Sequence, residues 1–328
     1  MIEGWHAAAA AALAACTVLF MVPPLARLLE SRGMTVPDAH KKSRVMVPMP
    51  AGPALAAGII SAELLLYLLH PSPGILAAAA ATAAAFAAGM VDDLRPMSGW
   101  FKPGMLALAA LPLLLLGAYG PDLAFPPFGS VHIPLLYPAL VVMMVVVAGN
   151  AANSIDVLNG VLSGLMAMCG AALAISLLIM GRPDAAAAAV PIAAAAAAYY
   201  RYHRLPTRIF PGDSGALALG AAYAAVAVYG GAEVVAAVIL LPAIANSFFF
   251  LSSTRRIVEF KRTRRPVEMT PDRGRLRATA DRLAPVTLVR LLLAGGPLTE
   301  AQVAGRILRL GAFSCALGIA TAVMAAVI

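Results

Sequence analysis

The chain has 328 residues, of which 61% are hydrophobic and 12% are charged, and its formal net charge at pH 7 is +8. Soluble globular proteins carry about a quarter charged residues, so this composition, with a mean hydropathy of +0.86, excludes a water-soluble domain. Apolar stretches of roughly the ~20 residues that a bilayer core requires recur along the whole sequence. We therefore predict an all-α, polytopic membrane protein that forms a single domain over residues 1–328.

Ten transmembrane helices are predicted from these apolar stretches. They cover residues 6–29, 50–69, 74–91, 103–120, 134–150, 160–180, 184–201, 214–231, 233–252 and 310–328. Pro191 and Pro242 lie inside two of the spans and are expected to kink them. The stretch 253–309 is predicted to be a long loop with one or two short interfacial helices after residue 283.

Basic residues are distributed unequally between the two faces of this predicted bundle. Of the 24 Lys and Arg residues, only Arg182 lies on one face, and the others lie in or beside the loops after spans 1, 3, 5, 7 and 9. The positive-inside rule makes the basic face cytoplasmic and places both termini outside the plasma membrane. For most of these residues, orientation and contact with anionic lipid head groups are a sufficient explanation.

Carboxylates and amides collect on the same face, at the ends of predicted spans. They are Asp92, Asp93, Asn150, Asn153, Asp156, Asn159 and Asp213. Acidic and amide side chains near a membrane are costly and tend to mark function. Because they accompany the basic residues, the pattern predicts a site that binds both a cation and an anion.

The first motif is an Asp-Asp pair at the end of the third span. Asp92 and Asp93 are followed nine residues later by Lys102. Two carboxylates can bind a hard cation, or one can act as a base that the other positions. A lysine opposite them can neutralise a phosphate. An Asp-Asp pair at a helix end is weak evidence by itself.

The second motif spaces four polar residues three apart, from Asn150 through Asn153 and Asp156 to Asn159. On a straight helix these side chains would turn away from one another by about 60° at each step. The Asn159-Gly160 pair is a turn signal, so we expect a break that brings the later residues back toward the earlier ones. Interhelical hydrogen bonds or helix caps are the alternative interpretation.

The third motif, Phe210-Pro-Gly-Asp213-Ser214-Gly, directly precedes the eighth span. Asp213 or Ser214 could cap that helix. Alternatively, the glycines allow the backbone to approach a ligand, and Phe210 offers a stacking face for a base.

The fourth motif is an arginine-rich run in the long loop. Its members Arg262, Arg264 and Arg265 carry guanidinium groups that can pair bidentately with phosphate oxygens. A lipid-surface patch is the alternative, and it is the favoured interpretation for Arg255 and Arg256.

In this order and in these loops, the four motifs resemble those of the polyprenyl-phosphate N-acetylhexosamine-1-phosphate transferases. That family has ten membrane helices and a cytoplasmic site. Bacterial phospho-MurNAc-pentapeptide transferases carry a histidine cluster in the last loop, whereas residues 253–309 contain no histidine here. The chain is therefore more similar to the dolichyl-phosphate GlcNAc-1-phosphate transferases of archaea and eukaryotes.

The resemblance implies roles for five residues. Asp92 and Asp93 match the catalytic Asp-Asp pair, and Lys102 matches a lysine that contacts the diphosphate. Asn153 and Asp213 match the ligands of Mg²⁺, for which Mn²⁺ is the alternative.

The resemblance also implies substrate contacts. Asn159 and Phe210 match residues that bind uracil, and Arg262, Arg264 and Arg265 match a basic stretch that binds the sugar and diphosphate. Further substrate-binding candidates are His40 and Lys41 in the first loop, and Asn150 and Asp156 in the second motif.

The implied reaction transfers GlcNAc-1-phosphate, or another N-acetylhexosamine-1-phosphate, from a UDP-sugar to a polyprenyl or dolichyl phosphate and releases UMP. This would be the first membrane step of N-glycan or cell-envelope assembly. The lipid bilayer is the other expected partner, nucleic acid is not one, and a homodimer is left open. A phospho-MurNAc-pentapeptide-type transferase is the alternative. A ten-helix transporter would instead place polar groups near the bilayer midplane, where Glu63 is the only mid-span charge.

Overall fold

The computed structural model describes residues 4–39, 45–254, 264–270 and 274–327. Its helices are α1 (Gly4–Ser31), α2 (Gly52–Leu69), α3 (Pro73–Leu94), α4 (Phe101–Ala109), α5 (Leu111–Leu115), α6 (Tyr137–Ile155), α7 (Val161–Ile179), α8 (Pro183–His203), α9 (Gly212–Tyr229), α10 (Glu233–Ile239), α11 (Leu241–Thr254), α12 (Leu288–Leu292) and α13 (Glu300–Ala325). These helices form the bundle that the sequence predicted.

Three short antiparallel hairpins lie in the loops, and the all-α prediction missed them. They pair β1 (Thr35–Pro37) with β2 (Met46–Pro48), β3 (Asp122–Ala124) with β4 (Ser130–His132), and β5 (Val267–Met269) with β6 (Leu276–Ala278). Each strand has only three residues, so the hairpins shape the loops without adding a sheet to the core.

The helices follow the predicted spans closely. Each of the ten spans coincides with one helix or with a broken pair, the pairs being α4–α5 and α10–α11. Among the described helices, six are long and apolar enough to cross a membrane, or seven if the bent pair α10–α11 is one span. These six are α1, α2, α3, α6, α7 and α13. The protein is thus a polytopic membrane protein, and the count of ten spans stays a prediction.

Helix α9 occupies the centre of the bundle. It packs against α2, α3, α6 and α8, and nearly every residue from Gly212 to Val228 is buried. A helix surrounded by protein does not need a strongly apolar surface, because it presents little of itself to lipid. This accounts for its absence from the six helices that are long and apolar enough to cross a membrane.

Glycines allow the neighbours of α9 to approach it closely. A Cβ at Gly89 of α3 would lie 2.5 Å from Ser214 Cα, and one at Gly74 would lie 1.9 Å from the Tyr229 ring. On α9 itself, a Cβ at Gly220 would lie 2.5 Å from the Ala148 carbonyl oxygen of α6. Helices α3 and α6 are therefore held at backbone distance from α9.

Two predicted irregularities are confirmed. Helices α10 and α11 meet at an angle of 76°, next to Pro242. The kink predicted at Pro191 is not confirmed, because α8 continues through that residue as one helix. The second motif also breaks: α6 ends at Ile155, Gly160 has a φ of 83°, and α7 begins at the next residue.

The loop between the last two predicted spans is partly helical. Short helix α12 coincides with the first of the interfacial helices that the sequence predicted, and its position at a membrane surface stays a prediction. The second is part of α13, which begins at Glu300 with a capping box between Thr299 and Gln302. Helix α13 therefore starts about three turns before the predicted span.

Substituting alanine for Gly220 should destabilise the bundle, because the new Cβ would collide with the α6 backbone at Ala148. Overpacking of this kind costs about 1–3 kcal/mol, so we expect a lower apparent Tm in detergent. Gly104→Ala is the matched control, since nothing lies within 4 Å of its Cβ position. An equal Tm for the two variants would contradict the close α6–α9 contact.

Candidate active site

The N-terminus of α9 is capped by a side chain from α3. Asp93 accepts hydrogen bonds from the backbone N–H of Asp213 (2.8 Å) and of Ser214 (2.9 Å), and from the Ser214 hydroxyl (2.5 Å). A helix start leaves its first N–H groups without intrahelical partners, and a carboxylate there also interacts favourably with the helix dipole. The interpretation in which Asp213 or Ser214 caps this helix is therefore wrong, because the cap is Asp93, which lies 120 residues before Asp213.

The first loop holds the residues that precede α9. Phe210 donates its N–H to the Pro48 carbonyl (2.9 Å), and its own carbonyl accepts from Ala51 N–H (2.8 Å). Gly212 has a φ of 70°, and a Cβ there would lie 2.5 Å from Pro50 Cβ and 2.7 Å from Asp93 Oδ2. Only glycine fits both the conformation and the space at this position.

Lys102 joins the first and third motifs. Its Nζ lies 2.7 Å from Asp213 Oδ1 and 3.2 Å from Asp92 Oδ2. The other oxygen of Asp92 accepts the Met97 N–H at 2.8 Å. The structure thus brings together Asp92, Lys102 and Asp213, as the sequence predicted, with one ammonium group between two carboxylates.

Asp156 lies immediately after the end of α6, close to the same acids. Burial, with the nearby negative charges of Asp213 and Asp93, raises the pKa of Asp156 to about 8. A cation that binds near this carboxyl group lowers its pKa and favours the ionised form. Its Oδ1 lies 3.5 Å from His203 Nε2.

His203 is a site residue that the sequence analysis missed. It is 1% exposed, its Nδ1 lies 3.0 Å from the Ser163 hydroxyl, and its ring centroid lies 5.2 Å from that of Tyr199 and 6.5 Å from that of Phe210. Its position seven residues before Phe210 was the available signal. The predicted stacking residue, Phe210, therefore has a buried imidazole nearly perpendicular to its ring.

Asn159 joins three segments of the chain. Its side-chain amide donates to Asp38 Oδ2 (3.0 Å), and its backbone N–H donates to Glu300 Oε1 (3.2 Å). Asp38 and Glu300 were not predicted as site residues, because nothing local marks bonds to such distant segments. In this structure the Asn159 side chain is engaged within the protein.

The other two asparagines of the second motif differ in their bonding. Asn150 donates to the Val146 carbonyl at 2.8 Å, one turn back in its own helix, rather than to the acids around Lys102. The Asn153 side chain has no hydrogen-bonding partner in the part of the chain that the structure describes. Its amide oxygen is therefore available to a ligand.

The arginine-rich run is only partly described. Arg264 is exposed and donates to Asp281 Oδ2 at 2.7 Å, and Arg265 is exposed as well. Arg262, His40 and Lys41 lie outside the described residues. Arg264 thus stabilises its own loop, and its described partner is Asp281 rather than the acids around Lys102.

The oxygen donors suit Mg²⁺ that is shared with a substrate. No group of three or more His, Cys, Asp and Glu side chains among the described residues could hold a metal ion without further ligands. Mg²⁺ commonly takes one or two carboxylates and completes its octahedron with water and substrate phosphates. Asp213 and the unpartnered amide of Asn153 fit that pattern.

An apolar groove lies where α10 and α11 bend away from each other. Its wall is formed by α6, α9, α10 and α11 through Leu140, Met143, Met144, Val147, Ala148, Tyr223, Ala236, Ala237, Leu240 and Ile244. Apart from Tyr223, the lining residues are aliphatic or methionine, which suits a hydrocarbon chain.

Comparison with known proteins agrees with this geometry. Residues 75–231, which run from α3 through α9, match the model of glycosyl transferase family 4. The matched segment contains Asp92, Lys102, Asn153 and Asp213.

Three similar proteins are bacterial and carry the name phospho-N-acetylmuramoyl-pentapeptide-transferase. The chain is 29% identical to the one from Moorella thermoacetica, over 79% of this chain and 86% of that protein. It is 34% identical to those from Bacillus licheniformis, over 42% of this chain and 41% of the relative, and Geobacillus kaustophilus, over 43% of each. The chain thus spans about two fifths of the latter two relatives. The expected likeness to dolichyl-type enzymes stays a prediction.

Asp93→Ala should destabilise the protein as well as inactivate it. The change leaves two buried backbone N–H groups and a hydroxyl without their acceptor, and lost caps and unsatisfied donors cost about 1–3 kcal/mol. We expect a lower apparent Tm in detergent, with Asp93→Asn intermediate because one acceptor oxygen remains. The matched control is Asp92→Ala, whose carboxylate accepts one backbone bond. A larger fall in Tm for Asp92→Ala would contradict the capping role.

Proposed function

We propose that this chain, which matches the model of glycosyl transferase family 4 over residues 75–231, transfers N-acetylhexosamine-1-phosphate from a UDP-sugar to a polyprenyl phosphate. The observation that carries the proposal is the Lys102 ammonium between Asp92 and Asp213, beside the capped start of α9. This arrangement offers a cation for phosphate and carboxylates for a metal within a few ångströms. GlcNAc is the default sugar, and UMP is the other product.

The proposed step is a displacement at the β-phosphorus, the phosphorus that carries the sugar. An oxygen of the polyprenyl phosphate forms the new P–O bond, and the bond to the oxygen that bridges to the α-phosphorus breaks. UMP leaves with that oxygen and its electron pair. Such transfers depend mainly on alignment and on stabilisation of the charge around phosphorus.

Lys102 is the proposed partner of the diphosphate. In the structure its ammonium is balanced by Asp213 at 2.7 Å and Asp92 at 3.2 Å. Phosphate oxygens that enter beside it add a third set of acceptors. Lys102 can therefore turn toward the substrate without leaving the carboxylates.

Asp92 is proposed to orient the acceptor phosphate. A phosphate monoester is already largely ionised near pH 7, because its second pKa is about 6, so a strong base is not required. Asp93 has a different role, since its oxygens are engaged with α9. We therefore assign it to positioning Asp213.

Asp213 and Asn153 are the proposed holders of Mg²⁺. A bound Mg²⁺ would neutralise diphosphate charge and help to align the donor. The two residues sit near the ends of α9 and α6, which touch at Gly220 and Ala148. Gly220 is seven residues from Asp213 and Ala148 is five from Asn153, which correspond to about 10 and 8 Å along antiparallel helices at 1.5 Å per residue. The two side chains therefore lie at similar depth in the bundle.

The two ends of the substrates are proposed to bind on either side of this centre. Phe210, with the His203 ring nearly perpendicular to its own, would stack on uracil. The isoprenoid chain of the acceptor would lie in the apolar groove beside the α10–α11 bend. The site would face the cytoplasm of a plasma-membrane protein with both termini outside, as the basic loops indicate.

A phospho-MurNAc-pentapeptide-type transferase is the second candidate. The names of the bacterial relatives favour it. Their reaction and the one proposed here would share the same phosphoryl chemistry and differ in the sugar. A panel of donors separates them.

The deciding test is turnover in detergent with a panel of UDP-sugars, undecaprenyl and dolichyl phosphate, and Mg²⁺, Mn²⁺ or EDTA. We expect UMP release from UDP-GlcNAc that needs both the lipid phosphate and the metal. Asp213→Ala should reduce it at least a hundredfold, on the order of a lost electrostatic contact in an active site. Asp122→Ala, in the hairpin at the other end of the bundle, should retain activity. Full activity of Asp213→Ala would remove the metal assignment.

Phe210→Ala should raise the KM for the UDP-sugar by about tenfold or more, since stacking on an aromatic side chain is worth about 1–3 kcal/mol per base. The KM for polyprenyl phosphate should change little. Phe248→Ala is the control, because that ring is exposed on the outside of α11. An unchanged UDP-sugar KM in Phe210→Ala would argue against stacking.

A further inference from the structure

Asn246 is a buried amide that joins two distant segments of the site face. It lies in α11 and is 2% exposed. Its Nδ2 donates to the Ser154 carbonyl oxygen at 2.8 Å, and its Oδ1 accepts the Leu288 N–H at 2.9 Å. Buried polar groups require partners of this kind, and here the partners come from α6 and from the start of α12.

On the α6 side, Asn246 holds the turn that carries the metal-ligand candidates. Ser154 lies between Asn153 and Asp156, and its carbonyl belongs to the last turn of α6, where carbonyls lack intrahelical donors. The Ser154 hydroxyl also lies 2.6 Å from the Ser247 hydroxyl. Helix α11 thus fixes this turn through two neighbouring residues.

On the other side, Asn246 holds the long loop. Leu288 is the first residue of α12, and the same turn contains Arg290, whose guanidinium donates to the carbonyl of Asp281 at 2.8 Å and to the carbonyl of Ala284. Asp281 in turn accepts from Arg264. The loop with the arginine-rich run is therefore tied back to the start of α12.

Helix α11 also contacts this loop through Ser253 and the groove through Ile244. The Ser253 hydroxyl accepts the Val286 N–H at 2.9 Å. Ile244, two residues before Asn246, lines the apolar groove. One helix therefore touches the groove, the end of α6 and the long loop.

We propose that Asn246 is a positioning residue that sets the distance between the long loop and the end of α6. We call the contacts of Asn246 with Ser154 and Leu288 the amide clamp. If the loop or the α6 turn moved alone, the single planar amide could not keep both hydrogen bonds. The loop and the α6 turn therefore move together. The role rests on the proposed function, because it assumes that the loop binds the donor while α6 helps to hold the metal.

The clamp can be opened at one atom. Leu288→Pro removes the N–H that Asn246 accepts, and proline is well tolerated at the first position of a helix. The preceding residue, Thr287, already has the extended conformation that proline favours, with φ −132° and ψ 159°. Leu288→Ala is the matched control, because it shortens the side chain and keeps the N–H.

Two measurements test the clamp. The first is steady-state turnover of UDP-GlcNAc and polyprenyl phosphate by the full-length protein in detergent. Leu288→Pro should raise the UDP-sugar KM by about tenfold, the size expected for one lost hydrogen bond, with a smaller change in kcat. Leu288→Ala should stay within about twofold of wild type by the same reasoning.

The second measurement is hydrogen exchange of residues 276–293 and 150–158 without substrate. Leu288→Pro should exchange faster than Leu288→Ala in both segments, because the clamp joins them. Equal exchange in the two variants overturns the clamp, and equal KM values overturn the positioning role of Asn246. If wild-type protein turns over none of the donors, the proposed function fails, and the exchange comparison still decides whether the clamp exists.

Discussion

The carboxylate of Asp93 on the first turn of α9 is the contact on which the site depends. It accepts from two backbone N–H groups and one hydroxyl, so α3 and α9 cannot slide past each other without exposing buried donors. The glycines that bring the helices to backbone distance, Gly89 on α3 and Gly212 on α9, make this contact possible. This contact fixes the position of Asp213 in the first turn of α9.

The adjacent acids of α3 take different roles because consecutive residues on a helix point about 100° apart. Asp93 faces the interior and α9, whereas Asp92 faces Lys102 and accepts one bond from Met97. An Asp-Asp pair here is thus one structural group and one group that faces the proposed substrates. The same division occurs in the second motif, where Asn150 is bonded within its helix and Asn153 is left available.

Much of the fold could be predicted because each membrane helix is one continuous apolar stretch of sequence. The ten predicted spans correspond to helices or broken helices, and the Asn159-Gly160 turn signal located a real break. The meeting of Asp92, Lys102 and Asp213 was also predictable, since all three follow or precede spans on one face.

Hydrogen bonds between remote segments could not be predicted. The Asp93 cap, the Asn159–Asp38 bond and the clamp at Asn246 each join residues more than 40 positions apart. No local pattern distinguishes these side chains from others of the same type.

The position of α9 also has a consequence for how the protein is made. Its sequence is rich in alanine and glycine and carries Asp213 in its first turn, so it gains little by entering lipid alone. Its neighbours α2, α3, α6 and α8 precede it in the chain and leave the ribosome before it. Since the helices that pack against α9 are synthesised before it, we expect its insertion into the bilayer to be coupled to its packing. The helix that carries the start of the proposed site is therefore the one whose biogenesis relies most on the helices made earlier.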